Sequence, residues 1–214
     1  VETEIKGPLE SAWMYLRGGY VNFFLDIVRR PVFAKRLIEL VFKTMLELTE
    51  LVIDEAHVDA VWMTDDLGET RAPFISVEKY RALIKPWHQE AAKRIHKKGA
   101  KLCLHSHGNI MLLFEDIAET GPDSIDPLDP ADGMRLAEVK EKYGDRICIM
   151  GGITKSIGSM SKEEIKEHLL NVFSCAGPRG FIAMSSGGVP PEMSLENFNY
   201  YSHIVNKARR LNPE

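Results

Sequence analysis

The feature that most constrains the fold of this 214-residue chain is a regular alternation of short apolar segments with longer amphipathic ones, beginning near residue 58. Strands that alternate with helices predict a parallel sheet, and strands that are apolar throughout agree, because helices cover both faces of such sheets. We predict five strand–helix units, with strands at 59–64, within 101–108, and at 124–128, 146–150 and 180–184. Residues 1–58 lack this alternation and are predicted to be all helical.

Local signals mark several helix ends. Ser76 is expected to cap a helix that Pro86 kinks. Ser161 and Glu164 have the spacing of a capping box, which predicts the start of another helix. The last helix is expected to run from about residue 194 to 211.

Two histidines end the second predicted strand. His105 and His107 lie two residues apart, and alternate residues of a strand point to the same face. Neutral imidazole is a common zinc ligand, so this pair predicts a divalent-metal site. The alternative is a metal-free polar pair at a strand end. Cys103 is on the same face but about 13 Å from His107 along the strand, so we expect it to be a buried core residue.

Polar residues and glycines follow the other strands as well. Because the carboxyl ends of parallel strands meet at one edge of a sheet, these residues are expected to line a common site. No G-x-G-x-x-G sequence follows any strand, which disfavours a dinucleotide site. Loop capping by the aspartates, a turn at Asp126-Pro127 and tight turns at the glycines are the alternatives. The candidates are two catalytic aspartates, Asp65 and Asp66, and five substrate-binding residues, Asp126, Gly151, Gly152, Ser185 and Ser186.

Composition disfavours several classes of function. The formal net charge of -4 gives no basic surface for nucleic acid. No run approaches the ~20 apolar residues that span a bilayer. Three cysteines are few and unevenly placed for a disulfide framework, so we expect a cytoplasmic protein.

Several segments carry a family resemblance: Gly7-Pro-Leu-Glu-Ser-Ala-Trp-Met-Tyr-Leu-Arg-Gly18, Asp65-Asp-Leu-Gly68, Ile75-Ser76, Pro86, His105-Ser-His-Gly-Asn109, Gly144-Asp145, Gly151-Gly-Ile153 and Gly187-Gly-Val-Pro-Pro-Glu-Met-Ser-Leu-Glu-Asn197. They resemble the uroporphyrinogen decarboxylase superfamily, which also contains corrinoid-dependent methyltransferases. The resemblance implies a (β/α)8 TIM barrel, with residues 1–214 as one domain that holds its C-terminal five units and the helices before them. It also implies early strands outside this chain, and we expect that segment or a second chain to cover the sheet edge.

The resemblance also implies a set of metal ligands. Zinc methyltransferases of this superfamily use a His-x-Cys pair that matches residues 105–107, and a Cys just before the last Pro-rich segment. His105 matches the first ligand, His107 stands where the Cys would be, and Gly187 stands where the last Cys would be. Asp65 or Asp66 is then expected to complete a Zn2+ site, because zinc accepts carboxylate oxygen.

The leading functional interpretation is a metal-dependent methyltransferase that moves a methyl group to or from a corrinoid (cobalamin) carried by a partner protein. One alternative is a uroporphyrinogen decarboxylase-like lyase that acts on a tetrapyrrole, and another is a degenerate, non-catalytic barrel that binds a ligand or partner. Uroporphyrinogen decarboxylases place a His at the position of Gly187 and a Tyr near the position of Met14; this chain has neither residue at those positions, although Tyr15 is adjacent to Met14. The expected partners are a small-molecule methyl donor or acceptor, or a tetrapyrrole, together with a corrinoid protein and a second copy of the chain.

Overall fold

A parallel sheet of six strands forms the centre of the molecule, seen in a computed structural model that describes residues 1–16, 18–177 and 179–211. Arg17, which belongs to the first family-like segment, lies outside the described residues. Each strand pairs in parallel with its neighbour in sequence, and this unreversed order differs from that of a doubly wound sheet. The strands are β1 (Glu2–Lys6), β2 (Ala60–Thr64), β3 (Lys101–His105), β4 (Ser124–Leu128), β5 (Cys148–Ile153) and β6 (Phe181–Ser185).

Helices connect the strands and pack against the sheet and against one another. In the part of the chain that is described, no helix combines the length and the hydropathy needed to cross a membrane. The helices are α1 (Pro8–Met14), α2 (Gly19–Arg29), α3 (Pro31–Ala56), α4 (Val77–Leu83), α5 (Lys85–Lys97), α6 (Phe114–Ala118), α7 (Leu136–Tyr143), α8 (Lys162–Ala176) and α9 (Leu195–Leu211). Short 3-10 helices lie at Met111–Leu113, Pro130–Asp132 and Lys155–Ser159.

The five predicted strands are confirmed as β2 to β6, but the prediction that residues 1–58 are all helical is wrong. β1 runs along β2 in parallel, with Glu2 beside Ala60 and Lys6 beside Thr64. Its sequence, ETEIK, contains a single apolar residue, Ile5, and therefore lacks the apolar run expected of a parallel strand. β1 has one paired side among the described strands, so its charged side chains do not have to be buried.

The helix expected to kink at Pro86 is instead interrupted. α4 ends at Leu83, and α5 begins at Lys85 with the proline in its first turn, where a missing N–H removes no hydrogen bond. The Ser76 hydroxyl caps α4 by accepting from the Lys79 N–H at 3.2 Å. The predicted capping box at the start of α8 is also confirmed.

The two faces of the sheet differ in polarity. One face of β2 and β3 carries Val61, Met63, Leu102 and Leu104, which are fully buried in the hydrophobic core. Because side chains alternate along a strand, the residues between them point to the opposite face. That second face is only partly buried at its carboxyl end, and it carries the candidate site.

Candidate functional site

One row of polar side chains crosses the carboxyl ends of four strands. Strand pairing aligns Lys6 of β1 with Thr64 of β2, Thr64 with His105 of β3, and His105 with Asp126 of β4. Aligned residues of neighbouring strands share a face, so these four side chains lie side by side. The His105 side chain is 22% exposed and that of Asp126 is 3% exposed, so the row is accessible near its centre.

His105 and Asp126 form a hydrogen-bonded pair. The Nδ1 atom of His105 lies 2.8 Å from Oδ2 of Asp126, and no described residue bonds its Nε2. Burial lowers the pKa of His105, but the hydrogen bond and charge of Asp126, with the charges of Asp66 and Glu10, outweigh burial and raise the pKa above its usual value. The site can therefore hold a protonated imidazole.

Cys103 lies below His105 on the same face of β3. Its thiol is buried and lies 3.6 Å from Oδ1 of Asp126. Burial, reinforced by the charge of Asp126, raises the pKa of this thiol to about 12. Cys103 therefore stays protonated at neutral pH, which suits a core residue and not a nucleophile.

The second histidine lies against the first. The ring centroids of His105 and His107 are 4.8 Å apart and the ring planes are nearly perpendicular, at 82°. The backbone N–H of His107 donates to Oδ1 of Asp66 at 2.8 Å. Neither ring nitrogen of His107 bonds another described residue, so its side chain is available to a ligand.

Contacts between two loops hold the histidines in place. After β3, the buried Ser106 hydroxyl accepts from the Leu67 N–H, at 2.9 Å, in the loop after β2. Gly108 adopts a positive φ of +89°, and a Cβ there would lie 2.2 Å from the carbonyl carbon of Gly68. A side chain at position 108 would therefore push the two loops apart.

Asp65 lies behind this face, in the interior. Its side chain is fully buried, and its Oδ1 accepts from the Glu10 N–H while its Oδ2 pairs with Nε2 of His88, both at 2.8 Å. Nδ1 of His88 in turn lies 3.0 Å from the Tyr80 hydroxyl. A Cβ at Gly7 would lie 2.4 Å from Cβ of Asp65, so α1 begins directly on this carboxylate.

This environment differs from the one expected for a pocket-lining aspartate. Both carboxylate oxygens of Asp65 are used inside the protein, and of the two aspartate side chains only that of Asp66 bonds the His105–His107 segment. The sequence does not distinguish His88 from other helical histidines. Its imidazole nevertheless occupies Oδ2 of Asp65 and so separates the surroundings of Asp65 from those of Asp66.

Glu10 is a site residue that the sequence did not suggest. It lies in the first turn of α1, just after β1, with its side chain 14% exposed and 3.5 Å from Nζ of Lys6. Burial raises the pKa of Glu10, Lys6 and Thr64 act in the opposite direction, and the charges of Asp66 and Asp65 contribute to a net increase. Had β1 been recognised, Glu10 would have stood out as a polar residue after a strand.

The two glycines proposed to bind substrate lie within β5 and not in a turn. Gly151 has φ +132°, and a Cβ there would lie 2.4 Å from the backbone nitrogen of Leu128 in β4. A Cβ on Gly152 would meet Leu136 and Val172 of the helix layer, each at 3.1 Å. Packing alone thus accounts for glycine at both positions, and their role toward substrate stays a prediction.

The two candidate serines lie at the end of β6. The Ser185 hydroxyl donates to the carbonyl oxygen of Gly188 at 2.8 Å. Ser186 is buried, and its hydroxyl has no hydrogen-bond partner among the described residues. No described hydrogen bond joins either serine to the histidines. Gly187 is exposed and offers no side chain for a ligand.

The candidate site is therefore the group Asp66, His105, His107 and Asp126, with Glu10 beside it. Within residues 1–16, 18–177 and 179–211, no three or more His, Cys, Asp or Glu side chains are placed to hold one metal ion. Larger surface clefts lie elsewhere, with volumes of about 540 Å³ along α3 and about 500 Å³ between α7 and α8.

Comparison with known proteins gives three findings. The family model described as Uroporphyrinogen decarboxylase (URO-D) matches residues 4–208. A uroporphyrinogen decarboxylase from Trichodesmium erythraeum (strain IMS101) is 27% identical over 139 residues, which are 64% of this chain and 38% of that protein. The solved structure of a methyltransferase from Methanosarcina mazei has a TM-score of 0.75 at 16% identity, covering 96% of this chain and 58% of that one.

Both relatives are longer than this chain, which spans 38% of the first and 58% of the second. The structural match supports the fold, and the expected TIM-barrel type of α/β architecture is confirmed. The family model matches nearly the whole chain, as the segments singled out in the sequence led us to expect. This chain belongs to the uroporphyrinogen decarboxylase (URO-D) family.

Proposed function

We propose that this chain is part of an enzyme that transfers a methyl group to or from a corrinoid, and that His105 and His107 bind its zinc ion. One observation carries the proposal: the two imidazoles lie 4.8 Å apart at the carboxyl end of β3, and Asp126 orients His105 through Nδ1. Metal-binding histidines almost always direct the second ring nitrogen to a carboxylate, carbonyl or water. His105 has this arrangement, with Nε2 left for the metal.

The donor set fits zinc in part. Two imidazole nitrogens suit Zn2+, but catalytic zinc sites use three protein ligands and keep a fourth position for water or substrate. Asp65 is unsuited as the third ligand because both its oxygens are engaged in the interior. We assign that role to Asp66, which is only partly buried and already bonds the backbone of His107. Its side chain must rotate to complete the group.

A zinc ion at this place would lower the pKa of a substrate thiol, so that the methyl acceptor is a thiolate at neutral pH. The protein residues prepare the site for that chemistry. Asp126 fixes the ring of His105 through Nδ1. The Glu10 carboxylate, whose pKa is raised by burial, is suited to accept the proton that the thiol releases.

Elemental analysis of the complete protein tests this proposal. We expect one zinc per chain in the wild type, and loss of that zinc in His105→Ala, His107→Ala and Asp66→Ala. His203→Ala is the matched control, because His203 is exposed on α9. A folded wild-type protein that binds no zinc when supplied with it would exclude the metal site, and zinc retained by both histidine variants would place the metal elsewhere.

The second candidate function is a metal-free decarboxylation of a tetrapyrrole carboxylate. The raised pKa of His105 favours it, because loss of CO2 leaves an electron pair on carbon that must take up a proton, and an imidazolium can donate one. The similarity to a uroporphyrinogen decarboxylase over 139 residues agrees with this activity.

Turnover of uroporphyrinogen in the presence of a chelator separates the two candidates. Decarboxylation that is insensitive to chelator and lost in His105→Gln would establish the lyase. Methyl transfer between a thiol and a methylated corrinoid, abolished by chelator and restored by Zn2+, would establish the methyltransferase.

A further inference from the structure

The first turn of α1 is capped by a residue from outside the helix. The first N–H groups of an α-helix lack acceptors within the helix, and a side chain at the N-cap usually supplies one. The N-cap of α1 is Gly7, which has no side chain. Oδ1 of Asp65, in the loop after β2, instead accepts from the N–H of Glu10, the third residue of α1, at 2.8 Å. Asp65 therefore replaces the cap that Gly7 cannot provide.

Glycine at position 7 leaves room for the Asp65 carboxylate. A Cβ on Gly7 would lie 2.4 Å from Cβ and 2.5 Å from Cγ of Asp65, which is closer than these atoms can approach. A side chain at position 7 and the carboxylate of Asp65 therefore exclude each other. The Gly7 N–H also donates to the carbonyl oxygen of Thr64 at 2.7 Å. The start of α1 is thus bonded to two consecutive residues at the carboxyl end of β2.

Asp65 is itself held from behind. Its Oδ2 pairs with Nε2 of His88 at 2.8 Å, and Nδ1 of His88 lies 3.0 Å from the Tyr80 hydroxyl. The residues Asp65, His88 and Tyr80 are all fully buried. The Asp65 carboxylate is therefore fixed in place, and so is the helix turn that it caps.

The turn that Asp65 caps carries a site residue. The Glu10 side chain is 14% exposed, and one of its carboxylate oxygens lies 3.5 Å from Nζ of Lys6. The charged groups that act on Glu10 come from three neighbouring strands: Lys6 on β1, Asp65 and Asp66 after β2, and His105 on β3. Asp65 thus bonds the backbone of Glu10, while the carboxylate of Glu10 lies among the groups of the site.

We propose that Asp65 is a positioning residue, which holds the Glu10 carboxylate at the site by capping the turn of α1 that carries it. This inference rests on the proposed function, in which Glu10 accepts the proton that the substrate thiol releases. Asp65 itself touches no reacting atom, because both its oxygens are engaged behind the face. A general base that is displaced by ~1 Å can lose about 100-fold in rate, so the cap is expected to matter for catalysis.

Methyl-transfer kinetics of the complete, zinc-loaded protein test the inference. Asp65→Ala should lower kcat by about 10–100-fold with KM nearly unchanged, because it displaces Glu10 and leaves the substrate-binding residues in place. Asp65→Asn should recover most of that loss, because its Oδ1 still accepts from the Glu10 N–H and its amide can donate to Nε2 of His88. Asp116→Ala is the matched control, since Asp116 is a buried, ion-paired aspartate on α6 outside the site, and its kcat should equal that of wild type. Circular dichroism verifies that each variant is folded.

A comparison of double variants shows whether Asp65 acts through Glu10. Once Glu10→Gln has removed the carboxylate, Asp65→Ala has nothing left to position and should lower kcat no further. Gly7→Ala is a second way to displace Asp65, and it should follow the same pattern. If Asp65→Ala slows Glu10→Gln as much as it slows the wild type, or if Asp65→Asn is as slow as Asp65→Ala, the positioning role is wrong.

Titration of the Glu10 carboxyl by 13C NMR, in chelator-treated protein, tests the same inference without turnover. Burial raises the pKa of Glu10 above its ordinary value of 4.5, and the charge of Asp65 adds less than burial does. Asp65→Asn should therefore lower this pKa only slightly, whereas Asp65→Ala lets water reach the displaced carboxylate and should bring the pKa close to 4.5. Equal pKa values in Asp65→Ala and wild type would overturn the inference. The expected pKa values in a protein that transfers no methyl group would support the placement of Glu10 by Asp65 and contradict the proposed function alone.

Discussion

The molecule contains two aspartate–histidine pairs of equal length in different surroundings. His88 and Asp65 meet at 2.8 Å with side chains 1% and 0% exposed, whereas His105 and Asp126 meet at 2.8 Å with His105 22% exposed. In the first pair the remaining nitrogen and oxygen have partners in the protein. In the second, Nε2 of His105 has no partner among the described residues.

The difference separates a pair that is enclosed in the protein from a pair that is open to a ligand. Behind the face, the Tyr80 hydroxyl and the Glu10 N–H complete the bonding of His88 and Asp65, and these bonds join α4, α5, α1 and the loop after β2. At the face, Asp126 completes one side of His105 and leaves the other to a ligand. We therefore expect the enclosed pair to contribute more to the free energy of unfolding, whereas the open pair leaves one nitrogen available to a ligand.

The largest expected effect comes from removing the enclosed aspartate. Asp65→Ala should lower the free energy of unfolding by about 3–5 kcal/mol, because it leaves His88 and the Glu10 N–H buried without a partner. Urea denaturation measures this loss. Asp126→Ala is the comparison, and it should cost much less because water can reach His105. Equal losses in the two variants would mean that enclosure does not distinguish the pairs.

The sequence anticipated the sheet well because β2 to β6 are apolar segments bounded by glycine and polar residues. It did not reveal β1, whose charged residues are tolerated because the strand is paired on one side only in the described sheet. Because β1 is not predicted from the sequence, no predicted strand end identifies Glu10 as a candidate site residue. Pro86 predicts a kink where the structure has two separate helices, because a proline indicates an interruption but not its extent.

The candidate site was predictable where it depends on local alternation and not where it depends on distant packing. His105 and His107 share a face because they lie two residues apart on a strand. The different surroundings of Asp65 and Asp66 depend on His88, which is 23 residues away in sequence. Strand spacing cannot show which of two adjacent aspartates a helix will cover.

A smaller effect is expected from Tyr80→Phe, which keeps the shape of the ring and removes only its hydroxyl. The change leaves Nδ1 of His88 buried without its partner, so the free energy of unfolding should fall by about 1–3 kcal/mol. Tyr143→Phe is a suitable control, because the Tyr143 hydroxyl makes no hydrogen bond within the described chain. If the two variants lose the same amount, the Tyr80–His88 contact adds nothing to the enclosed pair.

The titration of His105 in the variant Asp126→Asn is the sharpest test of the open pair. Of the substitutions considered, this one is expected to change stability least. In chelator-treated wild-type protein, the pKa of His105 lies above its ordinary value of 6.5, because Asp126 outweighs burial. The substitution removes the charge of Asp126 and keeps the burial, so the pKa of His105 should fall. NMR of the imidazole protons as a function of pH measures this pKa.

The pH dependence of stability follows from the same pKa. A raised folded-state pKa means that folding favours the protonated ring, so this stabilisation is fully present below about pH 6.5 and is lost as pH rises through the folded-state pKa. The wild type should therefore exceed Asp126→Asn in stability by up to about 1 kcal/mol below pH 6.5 and by less above it, since His105 is partly exposed. A difference that grows as pH rises would show that Asp126 does not stabilise the protonated form of His105, and the contrast with the enclosed pair would then need another cause.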